Sequence, residues 1–173
     1  LDLGVSSYQL DERNRGFSYL GEAILDMRMD RTQDLDAKKV VNTYPEEKLA
    51  KIFFEYGEEK FSRNIARKIC EYRKTKEIET TKELVELIET SIPGWSRKQD
   101  SHPAKRVFQA IRIEVNKELD VLKELLNSIQ NSAINHARVA IISFHSLEDR
   151  IIKDKFKSWQ SSCICPSEAM RCE

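Results

Sequence analysis

The chain has 173 residues, with 29 Lys+Arg against 29 Asp+Glu and a formal net charge of zero. At 40% apolar and 34% charged it has the balance of one globular domain, which excludes a disordered or collagen-like chain. Its longest clean apolar run, residues 139–142, is far short of the roughly 20 residues a membrane helix needs, and four cysteines make no disulfide scaffold. Zero net charge excludes whole-molecule attraction to nucleic acid but leaves room for a local patch.

Only five glycines occur, at 4, 16, 21, 57 and 94, and no two form a G-x-G loop. A glycine-rich cofactor cradle is therefore absent from these residues. The opening Leu1-Asp2-Leu3-Gly4 has the pattern of a buried strand's last turn, running into a loop at Val5-Ser6-Ser7. A start of that kind suggests that the sequence opens in mid-domain.

Residues 11–43 read as irregular and rich in charge. Pro45 suits a first helical position, and Leu49, Ile52, Phe53 and Tyr56 follow at helical spacing until Gly57. A second helix over roughly 58–75 buries Phe61, Ile65, Ile69 and Tyr72. A third starts at Thr80, with Glu83 completing a capping box, carries Leu84, Leu87 and Ile88, and ends before Pro93-Gly94.

Behind Pro103, the positions Phe108, Ile111, Val115, Leu119, Leu122, Leu126 and Ile129 predict one amphipathic helix of roughly 27 residues. Asn135-His136-Ala137 turns the chain into Arg138–Ser143, whose apolar run fits a strand covered on both faces. Ser146 is the expected cap of a last helix, with Glu148 and Asp149 in its first turn. The tail beyond Trp159 is weakly patterned. Strand, helical excursion, long helix, strand and helix together suggest an α/β sheet interrupted by a helical insert; an all-helical domain with two stray apolar segments is the alternative.

In open α/β sheets ligands sit at the carboxyl ends of strands. Two such ends are visible, Asp2–Ser7 and Ser143-Phe144-His145-Ser146, each placing small polar residues after an apolar run. Ordinary turn and capping chemistry is the competing account of both. Between residues 60 and 76 seven basic residues face one acidic one, Glu71, and Lys60, Arg63, Arg67 and Lys74 share the side opposite the apolar stripe. Such a face either contacts phosphates or is simply solvated. Cys163, Cys165 and Cys172 lack the paired spacing of a zinc site, so free thiols and no metal are expected. Cys70 is expected to be buried on its helix.

Six blocks recur together and in order: Asp2–Asp11, Arg15–Ser18, Leu25–Met29, Tyr56–Glu59, His102–Leu119 and Ser143–Arg150. From Asp2 to about Phe156 the chain resembles the bacterial small-subunit ribosomal RNA cytosine-N4 methyltransferases, the RsmH or MraW family. The resemblance implies a partial class I, Rossmann-like fold that uses S-adenosyl-L-methionine (AdoMet), with a helical domain inserted after its fourth strand. It implies a cytoplasmic enzyme methylating the N4 amine of one cytidine in 16S rRNA of the small ribosomal subunit, near the decoding centre. The expected partition is strand end and active-site loops at 1–30, helical insert at 31–101, return to the methyltransferase domain at 102–158, and a tail at 159–173.

In that family the acid of the first block and the glutamine seven residues on contact the cofactor, which implies Asp2 and Gln9 here. Ser6, Ser7 or nearby carbonyls are expected to face the cytosine amine. His145 is either a proton acceptor or a structural hydrogen-bond bridge. Arg28, Arg106 and Arg112 are candidate phosphate or carboxylate binders, and Arg106 and Arg112 are alternatively partners of Glu114 or Glu118. Arg63 and Arg67 are the leading RNA contacts. The family's glycine-rich loop, ribose-binding acid and adenine-covering aromatic precede the first block and are missing from this sequence, so a fragment that binds AdoMet poorly alone is expected. The family's Pro-Gly-Gly-Arg turn is replaced by Asn135-His136-Ala137-Arg138. A non-catalytic RNA- or ribosome-binding module lacking the cofactor half is the rival reading.

Overall fold

A computed structural model of the chain describes residues 1–6, 8, 12–94, 102–132 and 137–160. Among these, regular structure is helical: α1 (Ala37–Thr43), α2 (Glu46–Glu55), α3 (Ser62–Tyr72), α4 (Thr81–Ser91), α5 (Pro103–Asn116), α6 (Glu118–Asn131) and α7 (Ser146–Gln160). None is long and apolar enough to cross a membrane. The chain separates into two compact units, Val5–Glu118 on the one hand and Leu1–Gly4 with the residues from Leu119 onward on the other. That division differs from the expected boundaries at 30 and 101. Leu25 and Met27, with no solvent exposure, and Val107 and Phe108 of α5 belong to the same core as the helices between them.

In the larger unit, α2 buries Leu49, Ile52 and Phe53, α3 buries Ile65 and Ile69, and α4 buries Leu84, Leu87 and Ile88. Thr80 and Glu83 form the expected capping box. Pro45 stands one position earlier than expected, as the cap of α2. The second helix is shorter than its apolar stripe suggested, because residues 57–61 make a turn before Ser62. Helix α1 was unforeseen: Asp36 caps it by accepting from the Lys39 N–H at 2.7 Å, and only Ala37, Val40 and Val41 are buried.

The segment before α1 is irregular in path but fixed by hydrogen bonds. Leu25 N donates to Glu79 O, Met27 N to Arg15 O and Lys38 N to Leu25 O. Gly16 is required there, since its φ is +69° and an added Cβ would lie 2.3 Å from Ile24 O. Gly57 is required for another reason: a Cβ would come within 2.6 Å of Arg106 O and 2.8 Å of Phe53 O, where α2 ends against α5.

The single helix expected over 103–129 is instead two. Lys117 adopts a left-handed conformation (φ +50°) and separates α5 from α6.

In the smaller unit, Leu122 and Leu126 of α6 and Ile152 of α7 form the buried cluster, with Leu3, Ile141, Phe156 and Trp159 packed on it. Residues 1–3 run parallel to 140–142: Leu1 N donates to Ala140 O at 2.8 Å, Ile142 N to Leu1 O at 2.9 Å and Leu3 N to Ile142 O at 3.1 Å. The two expected strand ends thus pair, but as an isolated bridge between Asp2 and Ile142 rather than as extended strands. Leu3 and Ile141 point to the cluster, while Ile142 (58% exposed) and Phe144 (68%) face solvent. The turn at Asn135-His136 and the cysteines of the tail lie outside the described residues.

Candidate functional site

Asp2, which forms the parallel bridge with Ile142, is exposed. Gly4, two residues on, has φ +88°, and an added Cβ would touch the Phe144 ring at 3.4 Å. Ser6 is exposed as well. An exposed carboxylate such as that of Asp2 suits the ammonium or hydroxyl groups of an amino-acid or nucleoside ligand. Ser7 and Gln9 lie outside the described residues.

His145 is tied to the first turn of α7. Its Nδ1 accepts from the Glu148 N–H at 3.5 Å, and its Nε2 lies 3.3 Å from Glu148 Oε1, too poorly aligned for a hydrogen bond. The other oxygen, Glu148 Oε2, accepts from the Phe144 N–H at 3.0 Å. Both side chains are nearly buried, at 9% and 3% exposure. His145, not Ser146, therefore caps α7, and Glu148 closes the same turn from inside.

The three candidate arginines Arg28, Arg106 and Arg112 are all engaged by carboxylates. Arg28 Nε is 2.7 Å from Asp26 Oδ1, Arg28 Nη2 is 3.1 Å from Oδ2, and Arg28 Nη1 donates to the carbonyls of Arg31 and Gln33. Burial opposes ionisation of Asp26, but the Arg28 hydrogen bonds and charge outweigh it and hold the carboxyl below its ordinary value. Arg112 meets Glu118 with two bonds at 2.8 and 3.0 Å. Arg106 bonds at 2.6 Å to Glu59, whose side chain is fully buried. Glu118 was one of the expected partners; Glu59, which sequence reasoning missed, lies 47 positions from Arg106.

Asn116 was missed too. Its Oδ1 accepts from the Met29 N–H at 2.7 Å, and its Nδ2 donates to Met27 O at 2.8 Å and Arg112 O at 2.9 Å. This bridge holds Met27 in its left-handed conformation (φ +58°) and ties the Leu25–Met29 block to α5. His102 caps α5 by accepting from Ala104 N at 3.2 Å and stacks on Tyr19, so much of the His102–Leu119 block serves the fold.

Along residues 60–76, which hold α3 and its flanks, the cations are deployed differently. Arg73 is spent on Val41 O and Lys76 on Glu83. Lys60, Arg63, Arg67, Lys68 and Lys74 are exposed, and none has an ion-pair partner among the described residues. Glu71 is the one carboxylate on that stretch. The result is a local basic face on a chain of zero net charge. Arg63 and Arg67 stand at its centre.

Comparison with known proteins fits the blocks to one group. A profile of the MraW methylase family matches residues 1–173. The ribosomal RNA small subunit methyltransferase H of Clostridium botulinum (strain Kyoto, type A2) is 58% identical over 166 residues, covering 96% of this chain and 53% of that protein. The protein of the same name from Finegoldia magna is 53% identical over 173 residues, covering 99% and 55%, and that of Clostridioides difficile (strain 630) is 52% identical over 172 residues with the same coverage. The chain thus spans about half the length of the curated relatives it matches. With the whole sequence matched by the profile and more than half of its positions identical to these relatives, the chain belongs to the MraW methylase family.

Proposed function

We propose that this chain forms the RNA-holding and amine-facing portion of an AdoMet-dependent enzyme that methylates the N4 amine of a cytidine in 16S rRNA, acting in the cytoplasm on the small ribosomal subunit. The observation that carries the RNA part of this reading is the basic face on and around α3, exposed and without ion-pair partners among the described residues. Phosphates are its natural counter-charges, and such contacts hold RNA in register without reading its sequence. The parallel pairing of residues 1–3 with 140–142 supports the Rossmann-like sheet of the class I fold.

When bound, AdoMet supplies an electrophilic methyl group; the protein's task is positioning. Asp2, an exposed carboxylate, and Gln9 hold the polar parts of the cofactor. Ser6 and Ser7 accept hydrogen bonds from the exocyclic amine, drawing its lone pair out of conjugation and towards the methyl. His145 acts through Glu148 as a positioning residue: its Nδ1 already accepts a backbone N–H and its Nε2 faces a carboxylate, so it fixes the strand-end turn. Arg28, Arg106 and Arg112 reach substrate only with nitrogens left over from their ion pairs. Arg63 and Arg67 carry the phosphate contacts.

A graft tests the reading. The matched half of the Clostridium botulinum relative is replaced by this chain, and small-subunit RNA from cells relying on the hybrid is digested and analysed by mass spectrometry. The expected result is N4-methylcytidine at one site. A folded, AdoMet-binding hybrid that leaves the nucleoside unmodified contradicts methyl transfer and favours a non-catalytic RNA-binding module.

A further inference from the structure

Beside the basic face lies a groove of about 780 Å³ between α2 and the start of α3. Phe54 lines it and is 63% exposed, although its neighbour Phe53 is fully buried. A large aromatic standing in solvent at a helix surface, with cations around it, has the make-up of a stacking platform for a base. Lys60 and Arg63 border the groove from the α3 side, and Lys51, paired loosely with Glu55 at 4.0 Å, from the α2 side. The first turn of α3 carries no acidic residue, and the buried Glu59 carboxylate that bonds the Phe61 N–H before it is paired with Arg106. Two carboxylates, Glu46 and Glu47, also line the groove. Together these groups offer an aromatic face for a ring, cations for phosphate and acceptors for a base's amino edge.

We propose that this groove binds one unpaired nucleotide of the RNA substrate, its base stacked on Phe54 and its flanking phosphates held by Lys60 and Arg63. The proposal rests on the reading of the α3 face as an RNA contact and extends it from backbone grip to base capture. Glu46 and Glu47 favour a base that presents an amino group, adenine, cytosine or guanine, over uracil. No described residue of the Asp2–Ser7 segment lines the groove, so the captured nucleotide anchors the RNA and is not itself assigned as the methyl acceptor.

The test is binding of fluorescein-labelled single-stranded RNA 12-mers to the full chain. One oligonucleotide has mixed sequence, and a second has the same sugar-phosphate backbone with every position abasic. Phe54→Ala is expected to weaken the mixed-sequence RNA about tenfold, Phe54→Trp to restore it to within twofold, and the abasic RNA to be insensitive to either change. Because Phe54 is mostly exposed, both variants are expected to melt as the parent does. If Phe54→Ala binds within twofold of the parent while Arg63→Ala with Arg67→Ala weakens binding, the groove proposal is overturned and the basic-face reading survives. If neither changes affinity, both fall. An equal loss with the abasic RNA also overturns base stacking.

Discussion

The Arg106 guanidinium donates to Glu59 at 2.6 Å, and this carboxylate has no exposure to solvent. Glu59 also accepts from the Phe61 N–H at 2.9 Å, directly before α3, so the pair ties α5 to the turn that launches the basic helix. Removing only the cation strands a buried charge. Arg106→Ala is expected to cost about 3 kcal/mol in chemical denaturation, the low end of the usual range because Arg106 itself is partly exposed. Adding Glu59→Gln to Arg106→Ala should recover most of that loss, since no charge is then left buried. A loss that persists undiminished in the double variant contradicts this role.

Asn116 closes three hydrogen bonds onto backbone groups, two of them to Met27 and Met29. Asn116→Ala leaves those groups half-buried and unpaired, and a loss of about 2 kcal/mol is expected. Asn116→Asp keeps the acceptor for Met29 but turns a carboxylate towards two carbonyls, so it should be no better than alanine. Rapid hydrogen exchange at Met29 in Asn116→Ala, but not in Asn116→Asp, is the local signature.

Asp26 supplies a pH dependence of defined sign. Its folded-state pKa is depressed, so the Arg28 pair stabilises fully above the unfolded carboxyl's value of 3.8 and is lost as pH falls through the lower folded value. Asp26→Asn is therefore expected to be less stable than the parent at pH 7, with the gap narrowing below about pH 4. A gap that stays constant from pH 7 to pH 3 contradicts the ion pair's contribution.

Helices α2 to α4 were legible because each carries a clean apolar stripe and a boundary signal: Pro45, Gly57, the Thr80–Glu83 box, Pro93. Helix α1 was not, since seven residues with three buried positions give too short a period to recognise, and its Asp36 cap lies within a charged stretch. The stop at Lys117 was hidden for the opposite reason. Val115 and Leu119 keep helical spacing across the break, so the apolar pattern continues where the backbone does not. Among candidate residues, the basic face was visible as spacing, and the exposed cations of α3 match it. The partners of Arg106 and Asn116 were invisible because they lie 47 and nearly 90 positions away. The paired strand ends were readable as apolar runs, but the neighbours that would make them a sheet cannot be inferred from two short segments.

The α3 face also makes a salt prediction. Removing one cation that grips a phosphate should reduce the slope of log affinity against log salt by about 0.7 for single-stranded RNA. Arg63→Ala with Arg67→Ala is thus expected to flatten the slope by about 1.4, twice that single-cation value. Lys123, paired with Asp120 on α6, makes a control whose alanine variant should leave the slope unchanged.

Most direct is steady-state methyl transfer by the hybrid enzyme, measured with radiolabelled AdoMet and small-subunit RNA, with and without Arg63→Ala and Arg67→Ala. The expected outcome is turnover by the parent hybrid, a rise of tenfold or more in the variant's KM for RNA, and an unchanged KM for AdoMet. Equal KM values for RNA in parent and variant would contradict the assignment of α3 as the surface that grips the substrate.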